Sequence, residues 1–103
     1  MVTTITNNDL SAAVNSEFAL VDFSATWCGP CRMVAPIVHE LAEEIDEVAF
    51  FNCDVDENPD IAAQFGIESI PTIVILKNGQ PVSKVIGFRP KPDLESWIRQ
   101  TIG

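Results

Sequence analysis

The chain contains 103 residues, with six Lys and Arg residues against fifteen Asp and Glu residues, so its formal net charge is −9. This length suits one domain spanning residues 1–103, and an apolar content of 47% is that of a globular chain rather than a disordered one. The acidic balance argues against partners such as nucleic acid or an anionic membrane surface, because both are bound through clustered Lys and Arg side chains. We expect a monomer.

The cysteine count and the first residues predict a reducing compartment. An extracellular disulfide scaffold normally pairs an even number of cysteines, whereas this chain has three. Residues 1–9 contain neither a basic stretch nor a long apolar run, so they do not resemble a secretory signal. The longest apolar runs are far shorter than the ~20 residues that a membrane-spanning helix needs. We therefore expect a cytoplasmic protein.

The first half of the chain alternates between short strands and helices. Apolar side chains recur at helical spacing in the longest of these segments, and the apolar run before it reads as a buried strand. Either Asn7 or Asn8 is expected to cap the first helix, because an asparagine side chain can accept a hydrogen bond from free N–H groups there. The predicted elements are a strand over residues 2–5, a helix over 9–14, a strand over 18–23 and a helix over 28–47.

The second half continues the alternation and ends with a hairpin and a helix. Asn58-Pro59 combines a capping side chain with proline at the first helical position, and Gly66 suits a left-handed helix end. Asn78-Gly79 predicts a tight antiparallel hairpin. Together the segments predict an α/β fold, with a mixed sheet and helices on both of its faces. The strands are expected over residues 48–54, 72–76 and 82–86, and the helices over 59–65 and after Pro90 and Pro92.

Two cysteines stand where the buried strand gives way to the long helix, in Trp27-Cys28-Gly29-Pro30-Cys31. Disulfide stabilisation grows with loop length, so a ring this small is a poor structural staple. Cys28 falls at the helix N-terminus, where free N–H groups and the helix dipole favour a thiolate, and the thiolate is the nucleophile. Cys31 lies behind it on the same helical face, as the resolving thiol. The pair predicts a redox-active disulfide, Cys28–Cys31, that works by thiol–disulfide exchange.

A zinc site or a static disulfide is the alternative interpretation of this pair. Zinc needs four ligands, and the other candidates are Cys53 and His39. His39 lies eight residues after Cys31 on the same predicted helix, which separates them by roughly 12 Å along its axis. We therefore expect no metal and no bound cofactor. Cys53 is interpreted as an apolar core residue, with a regulatory thiol as the alternative, and His39 as a residue of the helix surface.

Asp22 is a carboxylate within the apolar run over residues 18–23. Strand alternation places its side chain on the face of Leu20 and Ser24. If that face is covered, desolvation should raise the pKa of the carboxyl group toward neutrality. Such a group can relay a proton to and from Cys31. A solvent-exposed carboxylate at the end of a strand is the alternative.

Further motifs occur in order along nearly the whole chain. They are Val21-Asp22-Phe23, Ala35-Pro36, Asp54-Val55-Asp56-Glu57-Asn58-Pro59, Phe65-Gly66-Ile67, Ile70-Pro71-Thr72 and Lys77-Asn78-Gly79. Together with Cys-Gly-Pro-Cys, these motifs resemble the thioredoxin family. This resemblance implies a thioredoxin fold: a central mixed five-stranded sheet flanked by four helices in three α/β/α layers. It also implies a general protein disulfide reductase, whose partners are disulfide-containing proteins and a thioredoxin reductase.

The same resemblance implies a substrate groove beside the dithiol. Pro71 would be the family's cis-proline, although its spacing alone does not distinguish cis from the commoner trans state. Trp27 could instead belong to the core, and Gly87 could serve either a turn or close backbone approach. The implied groove is lined by Trp27, Ile70, Pro71, Ile86 and Gly87, and the site is shaped by Trp27, Gly29, Pro30 and Pro71.

The sequence departs from familiar bacterial members of the family at three positions. Ser24 stands where a second tryptophan is common, and Asn52 stands where a lysine often neighbours the buried aspartate. Because that lysine would be a charge partner, its absence bears on the titration of Asp22. Glu68 adds negative charge shortly before Ile70-Pro71.

Two other functions use the same residue types. A thiol oxidant or isomerase would usually carry an export signal and a different dipeptide between the cysteines, often one containing histidine. A non-catalytic binding module could use the groove without needing both cysteines. Because Cys28 and Cys31 are both present and are separated by Gly29-Pro30, the sequence favours the reductase.

Overall fold

The computed structural model describes residues 1–103. Its elements follow the predicted order, with boundaries that differ by at most three residues from those expected. They are β1 (Val2–Thr4), α1 (Ser11–Val14), β2 (Phe18–Ser24), α2 (Gly29–Glu44), β3 (Ala49–Asp54), α3 (Pro59–Gln64), β4 (Thr72–Lys77), β5 (Gln80–Ile86) and α4 (Lys91–Ile102).

The strands form one mixed sheet in the order β1-β3-β2-β4-β5. β3 pairs in parallel with both β1 and β2, while β4 runs antiparallel to β2 and to β5. Parallel neighbours need a crossover, and α1 and α2 supply the two crossovers that lead into β2 and β3. β2 is thus the middle strand and has a neighbour on each side.

Each face of the sheet carries its own apolar cluster, because successive strand residues point to opposite faces. α2 and α4 cover one face, and α1 and α3 cover the other, which confirms the predicted three layers. The strand residues of the first cluster are Leu20, Phe50, Ile73 and Ile75, and those of the second are Ala19, Val21, Phe23, Phe51, Cys53, Val74 and Leu76.

The predicted cap of the first helix was wrong. α1 begins at Ser11, two residues later than expected. Its N-cap residue is Leu10, and the first helical N–H, that of Ser11, is bound instead by the carboxylate of Asp9 at 3.0 Å. Asn7 and Asn8 both have a positive φ, at 55° and 52°, and so turn the chain before the helix begins. The side chain of Asn8 caps α3 instead: its Oδ1 accepts hydrogen bonds from the N–H groups of Asp60 and Ile61, at 2.9 and 3.2 Å.

Asn58 also differs from its predicted role, because its side chain does not cap the helix that it precedes. The residue is fully buried. Its Oδ1 accepts a hydrogen bond from the N–H of Asn8 at 2.9 Å, and its amide donates to the carbonyls of Ile5 and Asp54. Asn8 and Asn58 therefore tie the segment after β1 to the start of α3, across 50 residues of chain.

The long helix ends three residues earlier than predicted, while the tight turns agree with expectation. Ile45 has an extended backbone and is fully buried, so the chain leaves the helix in order to place this side chain in the core. Gly66 has a φ of +62°, as expected for a left-handed helix end. Asn78 and Gly79 both have a positive φ, which is the geometry of a tight hairpin turn.

The remote cap of α3 gives a stability test with a matched control. Asn8→Gly keeps a residue that tolerates positive φ but removes the acceptor for two N–H groups, whereas Asn7→Gly changes a similar exposed turn residue that caps nothing. We expect Asn8→Gly to lower the free energy of unfolding by about 1 kcal/mol more than Asn7→Gly does. Urea denaturation of both variants measures this difference, and equal losses would contradict the assigned cap.

Candidate active site

A disulfide joins Cys28 and Cys31 at the start of α2, with their Cα atoms 5.3 Å apart. Cys28 is the N-cap residue, and its sulfur accepts a hydrogen bond from the N–H of Cys31 at 3.3 Å. Pro30 lies in the first turn, where a missing N–H costs no helical hydrogen bond. The two cysteines are 5% and 3% exposed, so Cys31 is only slightly more buried than Cys28.

The groove residues implied by the family resemblance meet beside this disulfide. Ile70 packs against the two cysteines, and its carbonyl oxygen lies 3.8 Å from the sulfur of Cys28. The Ile70–Pro71 peptide bond is cis, as the resemblance implied. Gly87 has a φ of +88°, and its N–H donates to the carbonyl of Pro71 at 2.7 Å. Its backbone conformation, rather than close packing, is what requires glycine at this position.

Trp27 and Gly29 form the surface on either side of Cys28. Trp27 is 68% exposed, which rules out the core alternative, and its indole N–H donates to the carboxylate of Asp56 at 2.8 Å. Gly29 does not have a positive φ, and a Cβ built on it would meet open space. What glycine provides here is therefore a surface without a side chain next to the disulfide.

Asp56 was absent from the predicted site, although a signal for it exists in the topology. β2 and β3 are parallel neighbours, so the segments that follow them leave the same edge of the sheet. Functional groups in such folds gather beyond the carboxyl ends of parallel strands. Asp56 follows β3 by two residues, just as Trp27 follows β2 by three, and this brings the carboxylate to the indole.

Asp22 lies in the middle of β2 and is 1% exposed, so it is buried as expected and the alternative of a solvent-exposed carboxylate is excluded. Burial raises the pKa of this carboxyl group to about 6, and the nearby amide of Asn52 partly opposes the rise. The Oδ1 atom of Asp22 has no hydrogen-bond partner. The side chain faces the sheet surface that α2 covers, on the same side as Leu20 of that cluster.

The remaining candidate ligands do not converge on a site. Cys53 is fully buried on the opposite sheet face, and burial, with Asp54 and Asp22 adding to it, raises the pKa of its thiol to about 11. This agrees with the expected core role. His39 is exposed on α2, also as expected. No group of three or more His, Cys, Asp or Glu side chains is placed to hold a metal ion. None of the helices has the length and apolar content needed to cross a membrane.

The sequence matches the thioredoxin family model over residues 1–100. The chain belongs to the thioredoxin family. It is 50% identical over 91 residues to thioredoxins from Staphylococcus epidermidis and Staphylococcus aureus, which covers 87% of this chain and 88% of each of those proteins.

Solved thioredoxin structures have the same fold. A mutant thioredoxin from Halobacterium salinarum gives a TM-score of 0.89 at 33% identity, over 96% of this chain and 88% of that one. The thioredoxin of Malassezia sympodialis gives 0.89 at 36% identity, over 100% and 92%. With its disulfide at the start of α2, this thioredoxin-family chain is a thiol–disulfide oxidoreductase with protein-disulfide reductase activity.

The raised pKa of Asp22 links folding to pH. The folded carboxyl group has a pKa of about 6 against an ordinary value of 3.8, so the folded state binds this proton more tightly than the unfolded state does. The stability that this proton provides is fully present below the unfolded value and is lost as the pH rises through about 6. Above that pH, the ionised side chain costs about 3 kcal/mol relative to the protonated one.

Asp22→Asn removes this ionisation while keeping the size of the side chain. We expect the stability of the variant, minus that of the original protein, to rise by about 2 to 3 kcal/mol between about pH 4 and pH 7.5. Urea denaturation of the oxidised proteins at several pH values measures the difference. A difference that stays constant with pH would contradict the shifted titration, whatever constant offset the substitution adds.

Proposed function

We propose that Cys28 is the attacking thiolate, Cys31 the resolving thiol and Asp22 the proton relay when this chain reduces protein disulfides. The observation that carries the proposal is the place of Cys28 at the N-cap of α2, where its sulfur already accepts a hydrogen bond from the N–H of Cys31. A hydrogen bond to sulfur and the positive end of the helix dipole both favour the thiolate over the thiol.

The reaction begins with the reduced pair and a substrate disulfide. The Cys28 thiolate attacks one substrate sulfur, forms a mixed disulfide and releases the first substrate thiolate, which takes a proton from solvent. Cys31 then loses its proton and attacks the sulfur of Cys28, which releases the second substrate thiolate. The protein gives up two electrons and becomes the Cys28–Cys31 disulfide, while the substrate gains two electrons and two protons.

Asp22 takes the proton of Cys31 and passes it to the second leaving thiolate. A carboxyl group with a pKa of about 6 is mostly ionised at neutral pH, yet it holds a proton better than an ordinary aspartate does. Its location under α2 supports this role, because Cys31 belongs to the first turn of the same helix. The disulfide exchange itself needs no bound metal or organic cofactor, since the sulfurs of Cys28 and Cys31 carry the two electrons.

We place the substrate in the groove of Trp27, Ile70, Pro71, Ile86 and Gly87. The N–H and carbonyl groups of Ile70 make no backbone hydrogen bond within the chain, so they remain available to an extended segment of substrate. Such a segment would bind by adding main-chain hydrogen bonds, as in strand addition. The exposed indole of Trp27 and the open surface at Gly29 leave room for varied side chains, which suits a general reductase.

Regeneration requires an electron donor, for which we propose a thioredoxin reductase. Disulfide-containing proteins would be the substrates, in the cytoplasm, where a reductant keeps the dithiol available. We expect the chain to work as a monomer. We also expect no nucleic-acid or membrane partners, because its charge of −9 opposes contact with anionic polymers and surfaces.

Turnover of insulin disulfides with NADPH and a thioredoxin reductase tests the assignment of the two cysteines. Cys28→Ser should abolish turnover, because the attacking sulfur is lost. Cys31→Ser should stop after one step and accumulate a mixed disulfide that mass spectrometry detects, because no thiol remains to resolve it. Cys53→Ser is the matched control and should keep turnover. Absence of turnover in the original protein would favour a binding module. A mixed disulfide that accumulates on Cys31 in Cys28→Ser would instead show that Cys31 is the attacking thiol.

If Asp22 relays the proton, its substitution should slow only the second step, in which Cys31 attacks the mixed disulfide. In Asp22→Asn, Cys31 loses its proton acceptor, so resolution of a preformed mixed disulfide should be roughly tenfold to a hundredfold slower at neutral pH. The attack by Cys28 on a fresh substrate disulfide should change little. Stopped-flow measurement of each step in single turnover separates them. Equal rates of resolution in the variant and the original protein would remove Asp22 from the mechanism.

A further inference from the structure

Ser24 and Asn52 form a polar pair beside Asp22. β2 and β3 lie in parallel register, so that Asp22 is opposite Asn52 and Ser24 is opposite Asp54. Strand alternation puts Asp22, Ser24 and Asn52 on the sheet face that α2 covers. The amide nitrogen of Asn52 donates to the hydroxyl oxygen of Ser24 at 2.9 Å and to the backbone carbonyl of Asp22 at 3.3 Å.

These two hydrogen bonds use both hydrogens that the Asn52 amide has to donate. The carboxyl group of Asp22 is close enough for this amide to influence it, yet its Oδ1 atom has no hydrogen-bond partner. Buried carboxylate oxygens normally accept hydrogen bonds, because an unpartnered one is costly. The hydroxyl group of Ser24 therefore binds one N–H of the Asn52 amide, which could otherwise donate to the Asp22 carboxyl group.

An open cavity of about 270 Å³, lined by both polar and apolar side chains, lies next to the pair. This volume is several times the space that one water molecule occupies, and the polar side chains offer hydrogen-bond partners to water. Neither Ile70 nor Pro71 lines it. It joins Cys31 to the Ser24–Asn52 pair, and its lining includes Cys31, Ser24, Asn52, Arg32, His39 and Asp54.

We propose that Ser24 is a positioning residue: by engaging the amide of Asn52 through its hydroxyl group, it withholds a hydrogen-bond donor from Asp22 and so keeps that carboxyl group able to hold a proton for the exchange at Cys31. The cavity is lined by Ser24, Asn52 and Cys31 but not by Asp22. This inference about the second step rests on the proposed relay role of Asp22. A carboxylate given a direct amide donor would bind its proton less tightly.

The other charged and titratable groups around Asp22 come from β3 and α2. The Asp54 carboxylate is held by two backbone N–H groups of the following turn, and the Arg32 guanidinium donates to a backbone carbonyl. From β4 and α4, apolar side chains face this surface. The Asn52 amide is thus the neutral donor that a small change at Ser24 can redirect. The groups concerned are Cys53 and Asp54 on β3, and Cys31, Arg32 and His39 on α2.

The test is to titrate the Asp22 carboxyl carbon by ¹³C NMR in the oxidised protein. Ser24→Ala frees one N–H of Asn52, and we expect the pKa of Asp22 to fall by about one unit, because hydrogen bonds to charged acceptors are the stronger ones. Ser24→Thr keeps the hydroxyl and should leave the pKa in place. In an Asn52→Ala background, Ser24→Ala should no longer lower it, since the amide is gone.

Ser83→Ala is the matched control. Ser83 also lies on a strand, and its hydroxyl accepts one side-chain N–H, from Trp97 at 2.8 Å, but it belongs to β5. Its removal should leave the titration of Asp22 unchanged. An Asp22 pKa that stays the same or rises in Ser24→Ala would overturn the proposal, and so would an equal fall in Ser24→Thr.

A second readout separates this inference from the relay itself. The rate at which Cys31 resolves a mixed disulfide should rise with pH through the pKa of Asp22, so Ser24→Ala should move the midpoint of that profile to lower pH by the same amount. If the NMR titration shifts while the kinetic midpoint does not, the positioning role of Ser24 stands and the relay role of Asp22 fails. If neither moves, the positioning role fails.

Discussion

The central position of β2 is the constraint on which the rest of the site depends. With a strand on each side and helices over both faces, β2 is buried from Ala19 to Phe23, and only its end residues Phe18 and Ser24 are partly exposed. The chain can reach the surface only at the end of the strand, and there it turns into α2. This geometry places Cys28 at a helix N-terminus and at the same time buries Asp22 beneath that helix.

The same helix and sheet consequently shift the proton affinities of Cys28 and Asp22 in opposite directions. The start of α2 offers N–H groups and the positive end of its dipole to Cys28, which favours loss of the thiol proton. The packing of α2 on the sheet desolvates Asp22, which favours retention of the carboxyl proton. These effects serve different steps of the proposed exchange. The helix start favours the Cys28 thiolate that attacks the substrate, whereas the raised pKa of Asp22 brings its proton affinity closer to that of the Cys31 thiol, whose proton it would accept.

Local sequence patterns were sufficient for the elements and for the dithiol, because periodicity, Pro30 and the Asn78-Gly79 turn act over a few residues. The features that were missed depend on contacts distant in sequence. Asn8 looked like the cap of the nearest helix, but the fold brings it to a helix 50 residues further along the chain. The indole of Trp27 found its partner in Asp56 only through the parallel pairing of β2 with β3.

At the position of Asp22, folding and the proposed function favour different types of residue. An apolar residue at this position would suit the middle of β2 better, since a buried ionised carboxylate costs a few kcal/mol against a net stability of about 5–15 kcal/mol for a typical domain. The simplest way to reduce that cost is a hydrogen bond from Asn52, whose amide is already adjacent, yet both of its hydrogens go to other acceptors. Buried polar atoms are left without hydrogen-bond partners mainly at functional sites. The unpartnered Oδ1 atom of Asp22 does not help folding, and it agrees with the proton transfer at Cys31 that we propose.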